Sequence, residues 1–180
     1  ARNRRAAALR EWAAARGLHV APGDRGPVVT GTLHGTAFTC DDRIRVSRSQ
    51  TGDQPWRSHL DSAETTVRLP FPTVVALAVT PDSPGATLRW SHLGPQIQLE
   101  SGEFNGAFNV YCDDPVRARL VLNPAVMADL LGWTGPVRLV LADGRLRLST
   151  PETLLPVQRL DAFVGLAVDI ERSARAALVT

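Results

Sequence analysis

The sequence predicts an α+β fold: an antiparallel or mixed sheet of about six to nine short strands, helices at both ends, and a helical pair inserted late in the chain. Three observations carry this. Asp143-Gly144 sits between two apolar-alternating runs, Val137 to Leu141 and Arg145 to Ser149, the pattern of a two-residue hairpin. Asp114-Pro115 and Asn123-Pro124 each place a capping side chain before a proline suited to the first helical position. From Pro156 to Ala177, Leu160, Phe163, Ala167, Ile170, Ala174 and Ala177 recur at helical spacing, so this helix covers the sheet.

The remaining elements follow in order. Residues 2–16 form an alanine-rich helix whose Leu9, Trp12 and Ala13 share a face, with Gly17 as its stop. Residues 1–17 thus read as a basic N-terminal helix and 18–180 as a single α+β domain. Val28 to Cys40 is β-like, and Asp41-Asp42 is expected to turn it into a second strand, Ile44 to Ser47. The polar stretch Ser49 to Ser62, with Trp56, reads as a loop. Thr65 to Leu69 and Thr73 to Thr80 read as strands broken by Pro70-Phe71-Pro72. Short strands are expected at Thr87 to Trp90 and Gln96 to Leu99. Phe104 to Cys112 reads as one strand of period two, with Phe104, Phe108, Val110 and Cys112 on one side and Asn105, Asn109 and Tyr111 on the other. In the late hairpin, a two-residue turn sets Leu141 opposite Leu146 and Leu139 opposite Leu148, leaving Arg145 and Arg147 on the other face.

Composition narrows the function classes. With 44% hydrophobic and 21% charged residues the chain is of globular type, and its apolar runs fall well short of a bilayer span. All 20 basic residues are arginine, yet the net charge is only +2, so no global field draws in nucleic acid and none is expected as a partner. Arg2, Arg4, Arg5 and Arg10 nevertheless crowd the first turns. Two cysteines, Cys40 and Cys112, fit no zinc spacing and leave one disulfide or none open.

From Leu99 to Gly132 the sequence reads LESGEFNGAFNVYCDDPVRARLVLNPAVMADLLG. Glu100, Phe104, Asn105, Phe108, Val110, Asp113, Asp114, Ala118, Leu122, Pro124 and Met127 form an ExxxFNxxFxV…DP…LxPxxM segment. That segment resembles a bacterial, actinobacterial-type family of membrane-tethered domains of unknown function. The resemblance implies a hydrophobic helix ahead of the domain, an α+β architecture and no carried-over functional residue. Gly106 and Ala107 depart from the longer, often basic side chains of that pattern.

Each candidate site has a bland reading. Glu100, Glu103, Asp113 and Asp114 are dense enough for a carboxylate-based hydrolase or a divalent metal, but helix caps and turns account for them better. Cys112 shares a face with apolar neighbours and reads as a buried thiol, and Cys40 likewise. His19, His34, His59 and His92 have no metal-binding spacing. Trp56, Trp90 and Trp133, interleaved with Arg57 and Arg89, could form a stacking or carbohydrate platform; such residues more often plug core edges. Arg2, Arg4 and Arg5 fit a juxtamembrane segment or a solvated helix face. No cofactor or metal site is expected.

The functional expectation is therefore a non-catalytic binding domain, the soluble part of a membrane-tethered protein. Its partners would be another protein or an anionic lipid surface, met by Arg2, Arg4, Arg5, Trp56 and Trp90. It would sit on the cytoplasmic face of the membrane if an upstream helix exists, and otherwise in the cytoplasm. The alternative is a hydrolase using the carboxylates from Glu100 to Asp114.

Overall fold

The computed structural model describes residues 2–24, 26–49, 57–71, 75–82, 89–151 and 155–179. Helix α1 (Arg2–Ala14) leads into a meander of β1 (His19–Gly23), β2 (Gly26–Leu33), β3 (Thr36–Ser49) and β4 (Arg57–Pro70). Then come β5 (Leu77–Pro81), β6 (Gln96–Ile97), α2 (Gly102–Ala107), β7 (Phe108–Cys112), α3 (Pro115–Val121) and α4 (Pro124–Gly132). The hairpin β8 (Arg138–Ala142) and β9 (Arg145–Thr150) precedes the closing helix α5 (Leu160–Val179). The described strands form one nine-stranded antiparallel sheet, ordered β1-β2-β3-β4-β9-β8-β5-β7-β6. The α+β expectation holds, including the terminal helices and the inserted pair.

Local chemistry explains most elements. Asp114 accepts the Val116 and Arg117 backbone N–H groups at 3.1 and 3.0 Å, and Asn123 accepts those of Ala125 and Val126 at 3.0 and 3.1 Å. Both caps therefore satisfy donors that a helix start leaves orphaned. The late hairpin pairs Leu141 with Leu146 and Leu139 with Leu148. Its turn residues Asp143 and Gly144 have φ of 52° and 69°, the left-handed pair whose twist matches the strands.

Four expectations are corrected. Asp41-Asp42 is not a turn: β3 runs straight through it, pairing with β2 on one side and β4 on the other. The β2–β3 turn falls instead at His34-Gly35, with φ of 50° and 83°, because glycine enters this region freely and histidine tolerates it. The polar stretch 49–62 is strand at both ends, since β3 reaches Ser49 and β4 starts at Arg57; backbone pairing between long strands does not require an apolar face. Trp56 lies outside the described residues. Phe104 to Cys112 is not one strand. The Ser101 hydroxyl accepts the Phe104 N–H at 3.2 Å and starts a short helix, and the strand begins only at Phe108. Phe104 and Phe108, four apart, fit either period, and their rings lie 5.0 Å apart. Finally, Arg89 and Trp90 are helical and run into a 3-10 turn at Ser91–Leu93; residues 87–88 lie outside the described residues.

The proline break after β4 is a crossover. Phe71 donates its N–H to the Gly144 carbonyl at 2.8 Å, and the chain re-enters the sheet beyond β8. One sheet face carries the main core: Val67, Leu69, Leu146, Leu148, Leu139, Leu141, Leu77 and Val79 lie under α1, α3, α4 and α5. Leu160, Phe163, Ala167, Ile170 and Ala174 form the buried stripe of α5 as its spacing predicts. Leu9, Trp12 and Ala13 bring α1 into the same core. Among the described residues the opposite face holds a small apolar cluster of Ala78, Trp90, Tyr111 and Val140, with Leu93 and Ala142 packed against it.

Candidate functional site

Strand alternation sends every second side chain of β3, β4, β8 and β9 to the face away from the helices. Register then fixes neighbours on that face. Thr39 pairs with Arg68, Arg68 with Arg147, Arg147 with Val140, Val140 with Ala78 and Ala78 with Tyr111. In the adjacent row Asp41 pairs with Thr66, Thr66 with Ser149 and Ser149 with Arg138. Arg43 stands opposite Glu64, and Arg145 opposite Pro70 and Ala142. Arg43, Arg68, Arg145 and Arg147 thus gather in the middle of this strip, with Asp41 and Glu64 as the carboxylates among them.

A groove of about 420 Å³ opens there, lined by Arg43, Arg68, Arg145 and Arg147 with Asp143 on one wall, and by Trp90, His92, Leu93, Val140 and Ala142 on the other. Cations outnumber carboxylates four to one in this lining. Arg68 is ion-paired with Asp41 at 2.5 Å. Arg147 has no ion-pair partner among the described residues. Its guanidinium is held below the ordinary arginine range, first by burial and then by the nearby charge of Arg43, with Glu64 opposing and Arg68 and Arg89 adding to the repulsion. Beneath these side chains Thr66 and Ser149 are 0% and 1% exposed, and their hydroxyls make no hydrogen bond; neither does the buried Nε–H of Arg147. Buried polar atoms are normally paired. A cluster of unmatched donors beside unmatched positive charge is suited to holding an oxyanion.

Of the described residues weighed from sequence as possible sites, Trp90 and His92 line this groove and the others lie elsewhere. Arg5 donates from Nε to Asp42 at 2.8 Å and is 12% exposed, so it fastens α1 to β3. Arg4 and Arg10 are exposed on α1, to which Arg2 also belongs. Trp90 is 7% exposed, stacks on His92 with centroids 6.2 Å apart and carries the Arg138 guanidinium over its ring at 5.4 Å. It forms the groove wall rather than an open platform.

The acidic group from Glu100 to Asp114 is absorbed by structure. Glu100 accepts from Arg119 at 3.1 Å, Asp113 accepts the Ala76 N–H at 3.1 Å, Asp114 caps α3, and Glu103 is exposed in the first turn of α2. The motif asparagine has a structural task as well: Asn105 accepts the Leu99 N–H at 2.9 Å and donates to the Leu99 carbonyl at 2.7 Å. Cys40 and Cys112 are buried free thiols five strands apart in the sheet order, on the order of 24 Å at the usual strand spacing, so the open question of a disulfide closes against one. Burial, aided by Asp42 and Asp41, pushes the Cys40 thiol up to about 12. Burial also raises Cys112.

Sequence reasoning missed the arginine groove, although one signal was present: Arg145 and Arg147 on the polar side of the hairpin. Among the described residues no group of three or more His, Cys, Asp or Glu side chains could hold a metal ion, and no helix is long and apolar enough to cross a membrane.

Comparison with known proteins adds the following. No curated protein matches this chain. The crystal structure of the mycobacterial trehalose monomycolate transport factor A, TtfA, superposes with a TM-score of 0.60 over 94% of this chain and 94% of that one, at 13% sequence identity, a likeness of fold. Residues 73–153, spanning β5 to β9, match the family described as "Protein of unknown function (DUF3137)".

Proposed function

We propose that this chain is a non-catalytic binding domain and the soluble part of a membrane-tethered protein. One observation supports binding above the rest: the open sheet face concentrates Arg43, Arg68, Arg145 and Arg147 around a groove, while the carboxylates a hydrolase would need serve caps, ion pairs and a backbone clamp. Like charges on neighbouring strands cost stability, and a fold keeps such a cost where a partner repays it. Tethering draws on the segment from Leu99 to Gly132 and its likeness to membrane-tethered bacterial domains. The exposed Arg4 and Arg10 of α1 suit an anionic surface nearby. The likeness in fold to a transport factor agrees with a role in binding and handing on rather than in bond breaking. The cytoplasmic face of the membrane is the proposed location, because basic segments favour that side.

The test is fractionation of the full-length gene product from its own cells. Recovery in the membrane pellet, resistant to high salt and released by detergent, is the expected result. Recovery in the supernatant at low salt would end the tethering proposal.

A further inference from the structure

We propose that the groove on the open sheet face is a binding site for an organic phosphate, its oxyanion held by Arg43, Arg145 and Arg147 and its apolar substituent laid against Trp90 and Val140. This rests on reading the chain as a binding domain, and it names the chemistry of what is bound.

The charge of the groove selects an anion. Arg68 and Arg147 are direct partners on β4 and β9, two guanidinium stems about 5 Å apart at their backbones. Asp41 satisfies Arg68 and Glu64 stands opposite Arg43, leaving Arg147, Arg43 and Arg145 to face the same space with Asp143 as the one carboxylate of the lining among the described residues. The donor geometry selects oxygen. Guanidinium groups present planar, paired N–H donors that match phosphate oxygens, and hydrogen bonds of this kind are stronger than neutral ones.

The buried hydroxyls are a second, independent observation. Thr66 and Ser149 are paired across β4 and β9, one row from Arg68 and Arg147, fully enclosed and without a hydrogen bond. Hydroxyls cost free energy when buried unpaired, and both lie on the face that opens into the groove. Neither hydroxyl lines the groove itself, so their part is indirect: they are suited to donate to a water that an anion between the arginines orders.

The far wall limits what the anion is attached to. Trp90, Leu93, Val140 and Ala142 form an apolar strip beside the cations. Bare phosphate would leave the half-buried Leu93 and Ala142 of that strip against water. A phosphate carrying a ring or a chain covers it, and about 420 Å³ accommodates a group of that size. The two sources of such a ligand are a soluble aromatic phosphate ester and the headgroup of a phospholipid, and both share this chemistry.

The experiment uses the 180-residue chain and three water-soluble probes: inorganic phosphate, phenyl phosphate and dihexanoyl phosphatidic acid below its micelle concentration. Binding is followed by calorimetry at low salt and by the NMR resonance of the Arg147 Nε–H. Saturable binding of phenyl phosphate or dihexanoyl phosphatidic acid, at least about tenfold tighter than inorganic phosphate, is expected, with a shift of that resonance. Preference for phenyl phosphate assigns a soluble ester; preference for the phosphatidic acid assigns a lipid headgroup. Arg147→Gln should weaken binding about tenfold or more. Arg145→Gln, at an exposed position that the fold does not need, should weaken it severalfold, while the Arg4→Gln/Arg10→Gln double variant should leave it unchanged. No binding of either organic probe, affinity equal to that of inorganic phosphate, or binding that Arg145→Gln and Arg147→Gln leave untouched would each overturn the proposal. None of these readouts needs a membrane, so tethering and phosphate recognition fail separately.

Discussion

Arg5 on the first helix donates to Asp42 on the third strand at 2.8 Å, and Thr65 on the fourth donates its hydroxyl to the same carboxylate at 2.9 Å. Thr65 in turn accepts the Leu155 N–H at 2.8 Å, so one buried chain of polar contacts joins α1, β3, β4 and the segment before α5. Breaking a buried pair from one side strands the other charge. Arg5→Ala should therefore lower the unfolding free energy by about 3 kcal/mol, read from urea denaturation; a loss under about 1 kcal/mol would mean the pair is solvated and unimportant.

Helix α4 depends on Asn123 twice. Its side chain caps the first turn and donates to the Ser173 carbonyl of α5 at 3.3 Å. Asn123→Ala should cost about 1–2 kcal/mol, and Asn123→Asp, which keeps the cap acceptor, should cost less. Equal losses for the two variants would show that the link to α5 outweighs the cap.

Gly94 cannot be replaced cheaply. Its φ is 127°, and a Cβ there would stand 1.9 Å from the Cys112 carbonyl oxygen. Gly94→Ala should either abolish folding or force β6 off β7, visible as lost amide protection at Val110 and Tyr111. Normal stability and unchanged protection would refute the close approach.

The thiols give a pH dependence. The folded Cys40 thiol is raised to about 12 from an ordinary 9.0, so the unfolded chain releases its proton first. The folded state then binds more protons between these values, and stability must fall as pH rises from about 9 toward 12. Cys40→Ala should flatten that part of the stability curve, with a constant loss from its cavity. At pH 8 neither cysteine should react with a thiol reagent in the native protein, whereas both should in denaturant.

The arginine face should be destabilising when empty. Burial and the charge of Arg43 both act against the Arg147 cation. In phosphate-free buffer at low salt, Arg147→Gln should raise the unfolding free energy by up to about 1 kcal/mol, and added sodium chloride should shrink the difference. A loss of that size instead would make Arg147 a structural residue.

Much of this architecture is written locally. The caps at Asp114 and Asn123, the Asp143-Gly144 turn with its leucine register, and the apolar stripe of α5 depend on residues within one or two turns of each other, so the sequence alone determined them. Where two local signals competed, tertiary structure chose. Phe104 and Phe108 satisfy both the strand and the helix period, and the Ser101 cap with the Asn105 clamp on Leu99 settled a helix. Asp41-Asp42 has turn composition, yet Arg68 and Arg5 offer those carboxylates partners only in an extended strand. The groove could not be foreseen, because Arg43, Arg68 and Arg147 are distant in sequence. They meet only through the order β3-β4-β9-β8, set by a crossover at Phe71 whose backbone partner is Gly144. Hydrogen bonds between strands carry no residue identity, so strand order is decided by which apolar faces pack together under the helices.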